Sequence, residues 1–305
     1  MEYVYPKLSS KDLYITRLGG PGLGNLLFVY SKAIYISKKY DIQMIWPTWN
    51  TIKIGTILRK EKDKRFYLNL FKNNCGAISG VKKICLLFLK KKLNINEINA
   101  INIDECKNKI IQINEKKIEF NNTLFKDILE YRNEIYENLK VNLINKDDIN
   151  IDLKNSIVVN IRLGDFVEAT EEELRNGANN SRIPIKWYIN IINQIREITG
   201  KNLKVYVSSD GSEDELKEIL KLDNVQKIDF KNSITTIMAL TQSPLFIGSG
   251  STFSLWIRFL GQMNSISYKN QYKEKVLLDK ENKFEIDTDY EIDYKYHKKI
   301  INIYK

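Results

Sequence analysis

The sequence predicts an α/β protein organised around doubly wound parallel sheets, and three observations carry that prediction. β-Branched apolar runs alternate with amphipathic helical segments throughout the second half of the chain. Those runs end in small polar residues, as expected where the carboxyl ends of parallel strands meet a ligand. Near the N-terminus an apolar run, a glycine loop and a helical pattern follow one another. At 305 residues the chain is longer than one ordinary domain of about 150, so two domains are expected, with a boundary near residues 150–155.

Taken in order, Tyr14, Ile15 and Leu18 form the first apolar run, read as a strand. Gly19, Gly20, Gly22 and Gly24 follow, too close together for a helix interior, where each costs about 1 kcal/mol. Leu26, Leu27, Tyr30, Ala33 and Ile34 then have helical spacing, and residues 43–46 read as a second buried strand ended by Pro47. Residues 51–150, rich in Lys, Asn and Ile, read as mostly helical. Within them, residues 81–92 are an apolar core clamped by lysines. The favoured reading is a helix packed into the domain with lysines snorkelling at its ends; the alternative is a patch resting on an anionic membrane face. Further on, residues 157–161, 203–207, 225–228 and 244–248 read as strands, the first a β-branched run suited to a buried parallel sheet. Residues 187–198, 213–222, 234–241 and 253–260 read as helices, the first of them stopping at Gly200.

Composition removes several classes of function. Forty-eight Lys and Arg against 38 Asp and Glu give a net charge of +10, which suits nucleic acid, an anionic membrane or a phosphate-bearing substrate. The single histidine, His297, excludes a His-built zinc site, a Ser-His-Asp triad in the body of the chain and an HExxH protease. Cys75, Cys85 and Cys106 are odd in number and form no CxxC pair, which argues for a reducing compartment. No apolar signal core opens the sequence, and no run approaches the ~18 apolar residues of a membrane span. A cytoplasmic protein is expected, with peripheral contact at the inner face of the cell membrane left open.

Three of the predicted strand ends gather polar chemistry: Arg162, Gly164 and Asp165; Ser208, Ser209 and Asp210; and the run from Gly248 through Ser251 and Thr252 to Phe253. The third opens a helix, whose free N–H groups and dipole make an anion site. Arg162 adds a planar fork that matches phosphate oxygens. Together they describe a diphosphate pocket, although singly the serine loop reads as a helix cap and the arginine turn as a surface turn. No GxxxxGK[ST] string occurs, and Gly20, Gly22 and Gly24 give GxGxG without the further glycine of the dinucleotide fingerprint. Asp287 and Asp289 form a DxD of the kind that holds a metal on a diphosphate; lacking a preceding apolar strand, it is read as a solvated charge run.

Four segments carry a resemblance to a known family. Residues 22–30, GLGNLLFVY, resemble the GGLGNQMFQYA segment of bacterial α-1,2-fucosyltransferases, glycosyltransferase family 11. Residues 159–166, VNIRLGDF, are similar to their HxRRGDY segment, and residues 206–210, YVSSD, to their FSDD strand end. Residues 237–240 followed by 250–256, GSTFSLW, resemble their closing LMSxCxHxIxxNSTFSWW. The resemblance implies a glycosyltransferase B fold, two Rossmann-like domains facing across a cleft: an acceptor-side domain over 1–152 and a nucleotide-sugar domain over 153–305. A return of the last helix or tail to the first domain is left open. It further implies an inverting, metal-independent transfer of L-fucose from GDP-fucose to a glycan hydroxyl, in surface polysaccharide or O-antigen synthesis. On the matching positions, Arg162 would bind the donor diphosphate, and Ser251, Thr252 and Phe253 would cradle it through hydroxyls and amides. Ser209 and Asp210 would lie by the nucleoside, with Asn160 and Asp165 in the same site, while Gly22, Gly24 and Asn25 would face the sugar and acceptor. Four positions depart from the family pattern: Asn160 stands for its histidine, Leu163 for its second arginine, Leu26 for its Gln and Gly211 for its second Asp. These departures bear on donor identity, and no general base is singled out between Asp165 and Glu168.

Two rival readings accompany this one. A sugar-nucleotide-binding relative without transferase activity is motivated by Asn160 and Leu163. A nucleic-acid-binding protein is motivated by the charge, but the lysines are dispersed and no RRM-like string or basic helix-turn-helix is present. The expected partners are therefore a GDP-sugar and a glycan acceptor, lipid-linked or free, and not nucleic acid.

Overall fold

The computed structural model describes residues 2–52, 66–67, 70–95, 101–102, 104–114, 124–144, 149–230 and 232–305. The chain divides into two compact units, Met1–Lys146 and Asp147–Lys305, a division that falls ahead of the 152/153 boundary read from sequence. Each unit is α/β and is built on a parallel sheet.

In the first unit the elements are β1 (Tyr3–Lys7), β2 (Lys11–Asp12), β3 (Arg17–Leu18), α1 (Leu23–Lys39), β4 (Gln43–Met44), β5 (Thr51–Ile52), α2 (Gly80–Leu89), β6 (Lys92–Ile95), β7 (Ile110–Asn114) and α3 (Arg132–Asn142). The parallel sheet has the order β4-β1-β7-β6, and β2, β3 and β5 form a small mixed sheet. Helix α1 packs on β1, β4 and β7, burying Leu26, Leu27, Tyr30, Ala33 and Ile34. Lys38 and Lys39 stand in its last turn, where the helix dipole favours cations.

Three expectations are corrected here. The run before the glycine loop gives only the two residues of β3, outside the parallel sheet, and Leu18 is exposed. The central strand is instead β1, which contains Pro6 and was not anticipated. Val4 carbonyl accepts from Ile45 N–H at 2.8 Å on the β4 side, and β4 pairs only Tyr3 and Val4. Pro6, two residues on, faces that side beyond the pairing, so its missing N–H costs no ladder bond. Among the described residues of 51–150 the α-helices are only α2 and α3, and β6 and β7 lie between them, so this part is not mostly helical. The favoured reading of residues 81–92 is inverted: in α2 the buried residues are Lys83 and Leu87, while Val81, Phe88 and Leu89 face outward.

In the second unit the elements are β8 (Ser156–Ile161), α4 (Glu171–Arg175), α5 (Ile185–Thr199), β9 (Lys204–Ser209), α6 (Lys217–Leu220), β10 (Val225–Lys227), α7 (Ser233–Leu240), β11 (Leu245–Gly248), α8 (Thr252–Gly261), β12 (Asn264–Tyr268), β13 (Glu285–Thr288) and α9 (His297–Ile303). All six strands are parallel, in the order β10-β9-β8-β11-β12-β13. Renumbered from β8, this is the 3-2-1-4-5-6 order of dinucleotide-binding folds. Ile157, Val159, Val205, Val207 and Ile247 on one face meet Trp187, Ile191 and Ile195 of α5 in a fully buried core. Val158 and Phe246, one residue out of step, point to the other face and are equally buried. Helix α5 stops where Gly200 adopts φ 63°, as a left-handed cap requires.

Helix 213–222 is reduced to α6: residues 213–216 form turns, opened by reciprocal bonds between Ser212 and Glu215. The DxD is not a tail without a strand: Asp287 lies on β13, the edge strand of the sheet. The last helix packs within the second unit: Ile300 and Tyr304 enter the core around Trp187, and Tyr304 hydroxyl donates to Ser156 carbonyl at 3.2 Å. Among the described residues no helix is long and apolar enough to cross a membrane, and all three cysteines are free.

Candidate functional site

Strand order reverses between β8 and β11, which pair in register through Asn160 and Gly248. The chain leaves both strands at the same edge, so Arg162 and residues 249–253 emerge side by side at the position where doubly wound sheets hold ligands. On the other flank β9 pairs with β8 through Ser209 and Ile161, which brings Asp210 beside Arg162.

Two carboxylates hold the Arg162 guanidinium. Its NH2 reaches Asp165 Oδ1 at 2.6 Å and its NH1 reaches Asp210 Oδ2 at 2.8 Å, with the Phe166 ring 5.7 Å below. The arginine side chain keeps 25% exposure, so its fork is oriented yet open to a solute. Asp210 also accepts from Leu163 N–H at 2.8 Å. This contact explains Gly164, where a Cβ would stand 2.4 Å from Asp210 Oδ2. Asp210 therefore positions Arg162. Ser209 hydroxyl accepts from Gly211 N–H at 3.0 Å and shapes the same turn. Leu163 is buried in the core and packs on Gly211, where a Cβ would meet it at 2.4 Å.

The serine loop uses its hydroxyls internally. Ser251 caps α8, its Oγ accepting from Ser254 N–H at 3.1 Å, and lies 3.0 Å from Ser249 Oγ. Ser254 hydroxyl donates to Asn160 Oδ1 at 2.8 Å, and Asn160 Nδ2 donates to Ser208 carbonyl at 3.3 Å. All these side chains are buried. Asn160 and Ser251 thus knit β8, β9 and α8 together, and the Ser251 hydroxyl is engaged as a helix cap. What the loop offers outward is backbone: Thr252 and Phe253 are half-buried and open α8, where N–H groups lack intrahelical acceptors. Ser254, three residues after the cap, was missed, although its place as third residue of the helix is a capping-box position readable from sequence.

Gly22, Gly24 and Asn25 belong to the first unit. Gly22 is the N-cap of α1, Gly24 is buried in its first turn, and Asn25 beside it is half-buried. The left-handed conformations fall instead on Gly19 and Gly20, and a Cβ at Gly20 would approach Arg17 NH1 to 2.7 Å. Arg17 is fully buried and was missed; its Nε donates to Thr48 carbonyl at 3.1 Å and its NH1 to Gly19 carbonyl at 2.8 Å, fixing the start of the loop. Beside it, Lys83 Nζ donates to Thr48 Oγ1 at 3.0 Å, and Tyr5 hydroxyl donates to Asp12 Oδ2 at 2.5 Å. Burial pulls the Lys83 ammonium down to about 8, with Asp12 opposing the shift, and burial pushes the Tyr5 phenol up. Polar residues within an apolar helix and strand gave no sequence signal for this cluster.

The DxD carboxylates are engaged: Asp287 accepts from Asn270 N–H at 2.8 Å, and Asp289 pairs with Arg175 at 3.0 Å and Lys269 at 3.5 Å. Among the described residues no group of three or more His, Cys, Asp or Glu side chains is arranged to hold a metal ion.

A fixed arginine beside a helix N-terminus at the reversal point defines a doubly wound α/β protein equipped for an anionic ligand. The chain belongs to glycosyl transferase family 11, whose family model matches residues 102–292, a span that contains the whole of this site. It is therefore a glycosyltransferase. A sequence search of curated proteins finds no match. Among solved structures, one of POFUT1 in complex with GDP is similar at 17% identity, with 87% of this chain and 97% of that chain covered and a TM-score of 0.43. One of NodZ alpha-1,6-fucosyltransferase soaked with GDP-fucose is similar at 12% identity, with 87% and 94% covered and a TM-score of 0.42. One of fucosyltransferase NodZ from Bradyrhizobium is similar at 12% identity, with 85% and 92% covered and a TM-score of 0.41.

Proposed function

We propose that this glycosyltransferase moves L-fucose from GDP-fucose to a hydroxyl of a glycan acceptor, with inversion and in an α-1,2 linkage, during surface polysaccharide or O-antigen synthesis. The observation that carries the reading is the paired placement of Arg162 and the α8 N-terminus at the switch point of a family 11 sheet. The acceptor oxygen attacks the anomeric carbon as the bond from that carbon to the diphosphate oxygen breaks; the electron pair leaves with GDP and the hydroxyl proton passes to solvent. Arg162 and the amides of Thr252 and Phe253 take up the negative charge that grows on the diphosphate. Each such preorganised donor is worth roughly 2.7–4 kcal/mol at the transition state. In this proposal guanidinium and amides carry that charge without a divalent ion.

The experiment is a thermal-shift panel of nucleotide sugars followed by turnover against glycans. GDP-fucose is expected to raise Tm as its concentration passes Kd, and GDP release is expected to continue unchanged in EDTA. A shift with a different GDP-sugar alone would replace fucose. A shift without turnover would favour a binding-only protein, the reading to which buried Leu163 and Asn160 lend weight. Loss of activity in EDTA would overturn the metal-independent reading.

A further inference from the structure

Helix α2 turns an apolar stripe outward. Val81, Phe88 and Leu89 are 77%, 73% and 84% exposed, Cys85 is exposed, and their spacing puts all four on one side of the helix. The Tyr14 ring stands edge-on to Phe88 at 5.5 Å, and its neighbours Leu13 and Ile15 are themselves exposed. Two segments distant in sequence thus build one apolar patch, of a kind that soluble surfaces rarely leave uncovered.

The border of the patch is basic. Lys82, Lys91 and Lys92 are exposed, Lys92 Nζ donates to Tyr14 hydroxyl at 3.0 Å, and Lys90 lies over the Tyr3 ring. No Asp or Glu occurs between residues 79 and 95. A second copy of the same face would set lysines against lysines. An anionic lipid surface accepts both parts at once, with apolar side chains entering the acyl boundary and ammonium groups resting on phosphates.

We propose that α2 and the turn at Leu13–Ile15 form a membrane-docking surface, with Val81, Phe88 and Leu89 inserted and Lys82, Lys90 and Lys91 set on anionic headgroups. The surface is independent of which sugar is moved, and it would hold the enzyme against lipid-borne acceptors.

Flotation of the full chain with phosphatidylcholine vesicles, with and without phosphatidylglycerol, tests it. Binding is expected only with phosphatidylglycerol present and is expected to weaken with salt. The triple variant Val81→Ser, Phe88→Ser, Leu89→Ser is expected to lose flotation. The pair Lys90→Glu, Lys91→Glu is expected to bind about tenfold or more weakly. Both variants should keep the parent Tm and the parent turnover on a soluble acceptor. Absence of flotation by the parent chain, or equal flotation by parent and triple variant, would overturn the proposal. So would a concentration-dependent dimer that the triple variant dissolves, which would assign the face to a second copy. No donor is present in the assay, so its failure is separate from failure of the transferase reading.

Discussion

The second unit buries a charge opposite another charge: Arg258 reaches Glu285 at 3.4 Å, with the Tyr272 ring 3.9 Å away, and both partners are almost wholly enclosed. The first unit buries Lys83 against a hydroxyl, that of Thr48, and leaves Asp12 to the phenol of Tyr5. A carboxylate beside a buried cation offsets the cost of taking the charge out of water, whereas a hydroxyl offsets less of it. The second unit thus pairs its buried arginine with a carboxylate, while the first encloses a lysine whose ammonium burial pulls down to about 8.

The largest effect that would break this comparison is on stability at Lys83. Its folded value of about 8 lies below the ~10.4 of a free lysine. Below pH 8 both folded and unfolded chains hold the proton, and the burial cost, on the order of 3 kcal/mol, is fully present. Between about pH 8 and 10 the unfolded chain binds more protons, so stability rises with pH. Above pH 10 the raised Tyr5 acts in the opposite direction, which fixes the useful window. Denaturant midpoints of the parent should therefore increase from about pH 8 to about pH 9.5. Lys83→Met should be more stable near pH 7 and should flatten the slope, and an unaltered slope would remove the contrast between the units.

A smaller effect sharpens the other side. Ser251→Ala removes the cap of α8 and should lower stability by about 1 kcal/mol, with Ser251→Asn restoring most of it. Because the hydroxyl is turned inward, KM for the donor should change little when assayed well below Tm. A large rise in KM with unchanged Tm would return Ser251 to the ligand.

The sequence revealed unequal shares of the two units, for physical reasons. Strands β8, β9 and β11 are covered on both faces, so Ile157, Val158, Val159 and Ile247 stand out as continuous apolar runs. Strand β1 carries Tyr, Pro and Lys, and β7 sits in a lysine-rich stretch, so neither announced itself. Helix α2 misled because snorkelling predicts lysines at the rim, whereas Lys83 is enclosed and the apolar side faces out. At the site, Arg162 and the α8 N-terminus were legible from residue type and position. The duties of Asp210, Asn160 and Ser251 were not, because the partners are set by register between β8, β9 and β11 and lie far apart in sequence.

Transfer from GDP-fucose by Arg162→Ala, measured beside the parent with donor Kd from thermal shift, tests the central claim most directly. The expected result is a fall in kcat/KM of roughly 100- to 1000-fold with the fold intact, since a preorganised charge at the leaving diphosphate is lost. Turnover by Arg162→Ala at the parent rate would contradict it.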